Sequence, residues 1–280
     1  FQAEDGIRDC LLSRGLGDVY KRQSKDWSSA ALLLAPSVIM HVMVVVLHTA
    51  VPANLVFHAF MVGAILAHGW SLRLSANALR HREGSLARPP DDGDARTRNV
   101  MAARAFWLML AIGLGVYAAC RAVSKPGEYI GVDKAALRAT LDRFGVSRVG
   151  PMLAFAAYFY VVNAHVEEIF WRQLLRWRLR LRAGARTPRE TANAATHADA
   201  LSAVAYSAYH SVIIHMLMPP WFNLGIAFPF LAFMGSLLNR VADHPRLGVK
   251  VCAALHTGLD AATAFWILDI RFGWLDFLFP

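Results

Sequence analysis

Long apolar runs, each near the length of a bilayer-spanning helix, dominate the chain. They cover roughly residues 29–51, 53–72, 100–120, 151–175, 199–218, 221–239 and 249–268. About 20 helical residues cross the hydrocarbon core, so the pattern predicts seven transmembrane helices. The runs are continuous rather than alternating, which favours helices over a barrel. The closing stretch WLDFLFP reads as the start of an eighth span that is cut short.

Two polar stretches separate the spans. Residues 73–98 carry Pro89-Pro90 and Asp91-Asp92-Gly93-Asp94 as breakers and are expected to be a loop. Residues 121–148 form a second loop. Within it, DKAALRATLDRF sets Ala136, Leu137, Leu141 and Phe144 on one side, which predicts a short interfacial or packed helix. The expected fold is therefore an all-α, multi-pass helical bundle, one membrane domain over residues 24–280.

Composition strengthens this picture. The chain is 56% hydrophobic with a mean hydropathy of +0.36, above the roughly 45–50% apolar content of soluble domains. Its net charge of +9 would suggest nucleic acid in a soluble protein. Here the arginines gather beside spans and no recognition motif is present, so lipid and topology explain them better. Arg73, Arg80, Arg82, Arg88, Arg96 and Arg98 lie between spans two and three. Arg176, Arg178, Arg180, Arg182, Arg186 and Arg189 follow span four, and Arg240, Arg246 and Lys250 lie between spans six and seven. With seven spans these loops fall on one side, which the positive-inside rule makes cytoplasmic. Cys10, Cys120 and Cys252 are far apart and form no CxxC pair, so neither a disulfide framework nor a zinc knuckle is indicated.

Residues 1–23, FQAEDGIRDCLLSRGLGDVYKRQ, are polar, Gly-rich and without helical period. They resemble translated sequencing-adapter read-through and are expected to be non-native, with the native start missing. On that reading Cys10 does not belong to the protein.

Candidate chemistry sits inside the apolar runs. Glu167 and Glu168 are adjacent in VVNAHVEEIFWRQLL, with Arg172 one turn on. An ionisable group at mid-bilayer costs about 2.5–3.5 kcal/mol on insertion scales, so such residues usually face an interior site. Span five carries Tyr206-x-x-x-His210, and span seven carries His256-x-x-x-Asp260. Residues four apart share a helix face, so each helix can present a polar pair to a common interior. A carboxylate in a poorly hydrated pocket holds its proton more tightly and can serve as a general base toward water. Imidazoles can orient that water, donate to an oxyanion or bind a metal. Glu, His, His and Asp also make a plausible metal set, and either arrangement fits amide hydrolysis. Each pattern also has a plainer structural reading. Glu168 and Arg172 can be an i, i+4 ion pair, His210 a core histidine, and His256 and Asp260 mutual hydrogen-bond partners.

The three patterns, EEIFWR (Glu167–Arg172), YSAYH (Tyr206–His210) and HTGLD (His256–Asp260), resemble in order and spacing the CPBP intramembrane proteases. These comprise the CAAX prenyl endopeptidases and the bacteriocin-processing or immunity (Abi-type) proteins. The resemblance covers about residues 150–268, the expected catalytic core. It implies Glu167 as the acid that activates water, with Glu168 and Arg172 as the second acid and its basic partner. It implies His210 as the histidine that helps hold the water, and His256 as the second catalytic histidine. Tyr206 supports the set. Asp260 stands where the family usually has Asn. Ionised Asp cannot donate to an oxyanion as Asn can, so Asp260 would be protonated, bind metal or orient His256. Glu167, His210 and His256 are the ligand candidates for a divalent metal such as Zn.

The implied activity is hydrolysis of a peptide bond in a membrane-associated peptide or protein tail. It would take place in a bacterial cytoplasmic membrane, at a site opening toward the cytoplasm. The alternatives are a non-catalytic membrane protein on the same scaffold, acting in binding or immunity, and a proton-coupled transporter using the buried acids. His41, His48, His58 and His68 on the first two spans could hold haem or metal, though no motif accompanies them. His165 and His215 flank the proposed site and are candidates to line it. Trp171 and Trp177 are expected to anchor the membrane interface.

Overall fold

Each of the seven apolar runs forms a helix over most of its described length in the computed structural model, which describes residues 29–69, 92–145, 148–182, 188–244 and 246–273. The adapter-like segment, Arg73, Arg80, Arg82, Arg88, Arg186 and the closing WLDFLFP lie outside the described residues. The spans are α1 (Ser29–Val46), α2 (Ala50–Ala67), α3 (Asp92–Val123), α5 (Val149–Arg180), α6 (Pro188–Leu217), α7 (Pro220–Asp243) and α8 (Gly248–Phe272). All seven are long and apolar enough to cross a membrane. Large apolar side chains such as Leu34, Trp107, Leu108, Val161, Leu224 and Phe233 point outward and are exposed. That is the surface a bilayer demands and water penalises, so the chain is an integral membrane protein.

Two helices begin earlier than hydropathy predicts. α3 starts at Asp92 within the expected loop, and α6 starts at Pro188, eleven positions before its apolar run. Helix continues through polar sequence there because the backbone bonds need no apolar face once the helix is nucleated. Between α3 and α5 lies a two-stranded hairpin, β1 (Glu128–Tyr129) with β2 (Val132–Asp133). The predicted short helix follows as α4 (Lys134–Arg143), capped by Asp133, whose carboxylate accepts from the Ala136 amide at 2.8 Å. Leu137, Leu141 and Phe144 are buried, as the spacing predicts. Arg138 Nε donates to the Ile270 carbonyl, and Arg271 pairs with Asp142 at 3.0 Å, which ties α4 to the end of α8.

α8 packs along α3 more extensively than along any other element. A Cβ built on Gly258 would lie 2.4 Å from the Phe106 carbonyl oxygen, and one on Gly113 would lie 2.5 Å from Ala262 Cβ. Small residues at such crossings are how membrane helices approach closely without a hydrophobic driving force. α5 is the central helix. Residues 163–178 are buried at every position except His165. Its path is not uniform α-helix: wide π-type turns at Phe159–Asn163 and Ile169–Leu175 flank the α-helical Ala164–Glu168 that carries the two acids. Such turns recur at functional sites.

Trp171 and Trp177 do not anchor an interface. Both are buried, and Trp171 stacks on Tyr209 with ring centroids 5.6 Å apart. The π-type turn after Glu168 wraps this part of α5 inside the bundle, so Trp171 packs against helices rather than headgroups.

Candidate functional site

Three helices deliver the predicted pairs to one place. From α5 come Glu167 and Glu168, from α6 Tyr206 and His210, from α8 His256 and Asp260. One ligand atom each from Glu167, His210 and His256 falls within 4.8 Å of the other two. Among the described residues this is the group of histidine and acidic side chains arranged to hold an ion.

Hydrogen bonding fixes which nitrogen each imidazole presents. His210 Nδ1 lies 2.8 Å from the Tyr206 carbonyl, which can only accept, so Nδ1 carries the proton. His256 Nδ1 lies 2.9 Å from Glu168 Oε1 and donates to that carboxylate. Both rings therefore turn Nε2 toward the centre of the site. A histidine whose far nitrogen is held by a carboxylate or carbonyl is the usual arrangement of a metal-binding imidazole. It serves equally to orient a water molecule.

Glu168 is held from its other side by Arg172, Nε to Oε2 at 2.9 Å, both side chains fully buried. Arg172 also donates to Asn239 Oδ1 at 3.1 Å and lies over the Tyr206 ring at 4.7 Å. One turn further, Arg176 donates to Asp199 and Asp243, and Arg180 reaches the same two acids. This ladder joins α5 to α6 and α7.

Glu167 has a different environment. It is 1% exposed and has no arginine partner among the described residues. Tyr209 is within hydrogen-bond reach of it, and the same hydroxyl lies 3.0 Å from His210 Nε2. Its Oε2 is buried without a hydrogen-bond partner among the described residues. An orphaned buried carboxylate oxygen is costly unless something else satisfies it.

Asp260 sits 3.6 Å from His256 Nε2, and its Oδ2 accepts from Asn163 Nδ2 at 3.0 Å. Sequence reading missed Asn163, Tyr209 and Asn239. Asn163 precedes Glu167 by four residues, and Tyr209 adjoins His210, so proximity in sequence was the available signal. Asn239 lies in an unremarkable stretch of α7 and carried none. The remaining histidines divide. His41, His48 and His215 are exposed and apart from the cluster, and neither His165 nor His215 lines the cavity described next. His58 is buried, its Nδ1 2.5 Å from the Tyr158 hydroxyl. A haem or metal site shared by His41, His48, His58 and His68 is not assembled.

A cavity of about 250 Å³ reaches the cluster. Tyr206, His210, His256 and Asp260 form its polar end, and Asn54 and Thr263 add the other polar side chains of its wall. The rest is apolar, contributed by Met152, Phe155, Ile213, Ile214, Leu217 and their neighbours. Its far wall includes Leu141 and Phe144, on and just beyond α4. The cavity thus runs toward the end of the bundle that carries α4, not toward the Arg-rich end as expected from charge. The reason is packing: below Glu168 the interior is filled by Trp171, Arg172, Arg176 and Asn239, each buried to 0% exposure.

No protein-family model matches this chain, and no curated protein or solved structure matches it.

Proposed function

We propose that the protein is an intramembrane endopeptidase of the CPBP type, cleaving a peptide bond in a membrane-associated peptide or protein tail. The observation that carries this reading is the convergence of Glu167, His210 and His256 from three helices, with the two histidines at the polar end of an otherwise apolar cavity. Ion pairing, core histidines and chance polarity, taken one pattern at a time, give no reason for that convergence.

The division of labour follows from the partners. Glu168 is committed to Arg172 and His256 and acts as the fixed acid that orients the second imidazole. Glu167, with a free oxygen, is the group that removes a proton from water. His256 presents its Nε2 lone pair to hold this water or to ligate an ion, and His210 Nε2 does the same in exchange for the Tyr209 hydroxyl that lies 3.0 Å from it. Attack on the scissile carbonyl forms a tetrahedral oxyanion. The proton taken by Glu167 passes to the leaving amine as the C–N bond breaks.

The donor set fits a divalent cation such as zinc: one carboxylate oxygen, two imidazoles with defined tautomers, and an unpartnered Glu167 Oε2. When bound, such an ion would acidify water and polarise the carbonyl.

With the Arg-rich end in the cytoplasm, the cavity meets the opposite leaflet. Access from the cytoplasm, the expectation from sequence, is therefore replaced by access from the α4 side.

The test is cleavage of a quenched fluorogenic peptide pool by the purified protein in lipid nanodiscs. Glu167→Gln keeps the shape and removes the base, so cleavage falls by about 10²–10⁴-fold while the unfolding temperature holds. Undiminished cleavage by Glu167→Gln ends the reading. A wild-type protein that cleaves nothing but retains its biological activity as Glu167→Gln is a binding or immunity protein instead.

A further inference from the structure

Asp260 is the residue at which this chain departs from the pattern it resembles, and Asn163 is its hydrogen-bond partner. Asn163 is 2% exposed and sits at the last position of the first wide turn of α5, four residues before Glu167. Its Nδ2 donates to Asp260 Oδ2 at 3.0 Å. A carboxylate only accepts, so this contact fixes the amide orientation: the NH2 faces Asp260. With Oδ2 held, the other carboxylate oxygen, Oδ1, is the one aimed at His256 Nε2.

We propose that Asn163 is a positioning residue of the candidate site, holding the Asp260 carboxylate so that Oδ1 stands beside His256 Nε2, where the two acceptors can take the hydrogens of one water. The proposal rests on the endopeptidase reading for its consequence but not for its geometry. It also explains how the site can carry Asp where Asn is the pattern. An amide that donates to Oδ2 of Asp260 can donate equally to the carbonyl oxygen of an Asn at 260, which would turn that residue's NH2 toward His256. Position 260 is thus oriented by α5 whichever of the two residues it carries.

The experiment uses the full chain in nanodiscs with the same fluorogenic peptides. Asn163→Ala should lower kcat at least tenfold with KM changed less than twofold. On an Asp260→Ala background the same substitution should add no further loss, because Asn163 acts through Asp260. Asp260→Asn should keep at least a third of the wild-type kcat only while Asn163 is present. Multiplying losses from Asn163→Ala and Asp260→Ala, or an unchanged kcat in Asn163→Ala, overturns the proposal. If Asn163→Ala does not fold, Asn163→Thr retains a shorter-reaching donor and should give an intermediate kcat. A second readout needs no catalysis: in ¹⁵N-histidine NMR, Asn163→Ala should shift the ring signals of His256 and leave those of His210 in place. If the wild type cleaves nothing, the endopeptidase reading fails by itself, and these ring signals alone decide the positioning role. Unmoved His256 signals count against it.

Discussion

Glu168 shows what one buried charge requires. Its two oxygens serve two different partners, Arg172 and His256, and Arg172 in turn spends another donor on Asn239. The arginine fork makes this possible, since separate N–H groups point at the carboxylate and at the amide oxygen; a lysine ammonium has no such fixed geometry. Truncating one member of a buried pair leaves the other desolvated and unpaired, at a cost of about 3–5 kcal/mol. Arg172→Ala should therefore destabilise the fold by about that amount and lower its unfolding temperature in detergent. Arg172→Lys should recover only part of the loss. An Arg172→Ala protein as stable as wild type would mean that the pair is not closed in the folded state. Glu167, one residue earlier, is expected to behave oppositely. It has no ion-pair partner to abandon, so its amide variant should fold normally and fail only in chemistry.

At the scale of elements, the close crossing of α3 and α8 sets the depth at which His256 enters the interior. Gly258 is two residues past His256, and its missing side chain lets the Phe106 carbonyl come against the α8 backbone. Gly258→Val would place a branched side chain where even a Cβ meets backbone at 2.4 Å. It should separate the two helices, lower the unfolding temperature and reduce cleavage together. A Gly258→Val protein with wild-type stability would show that the helices do not cross this tightly. The seven spans, the α4 helix and the pairs at i, i+4 were legible in sequence because apolar length and helical period are direct consequences of the bilayer and of 3.6 residues per turn. The fate of Trp171 was not. Hydropathy cannot tell a helix at the centre of a bundle from one at its rim, and the wide turns of α5 leave no compositional mark. Asn163 and Tyr209 escaped for a related reason: an amide and a phenol are common on membrane helices, and only the convergence of α5, α6 and α8 gives them partners.

For the molecule as a whole, polarity is divided by end. The Arg-rich end is closed by the ladder of Arg172, Arg176 and Arg180 with Asp199, Asn239 and Asp243. The other end contains the cavity and is bounded by α4 and its hairpin. A charge count alone does not locate the opening, because loop arginines report which side stays in the cytoplasm and say nothing of where the interior is filled. Orientation can be checked directly. A cysteine at Lys134, at the start of α4, should react with a membrane-impermeant maleimide added outside intact cells, whereas one at His244, between α7 and α8, should react only after lysis. The reverse pattern would turn the cavity toward the cytoplasm.

The two wide turns of α5 carry one more implication. A π-type turn encloses one more residue than an α-turn, so each represents a single position that the helix accommodates without breaking. Each residue of an α-helix accounts for about 100° of rotation. Remove one position from Phe159–Asn163 and the whole of Ala164–Glu168 swings by about that angle relative to the start of the span, with every side chain still present. The acids would then leave their histidines without a single substitution at the site. The alignment is set by arithmetic as much as by chemistry: the count of residues in two turns is itself a functional property of this chain.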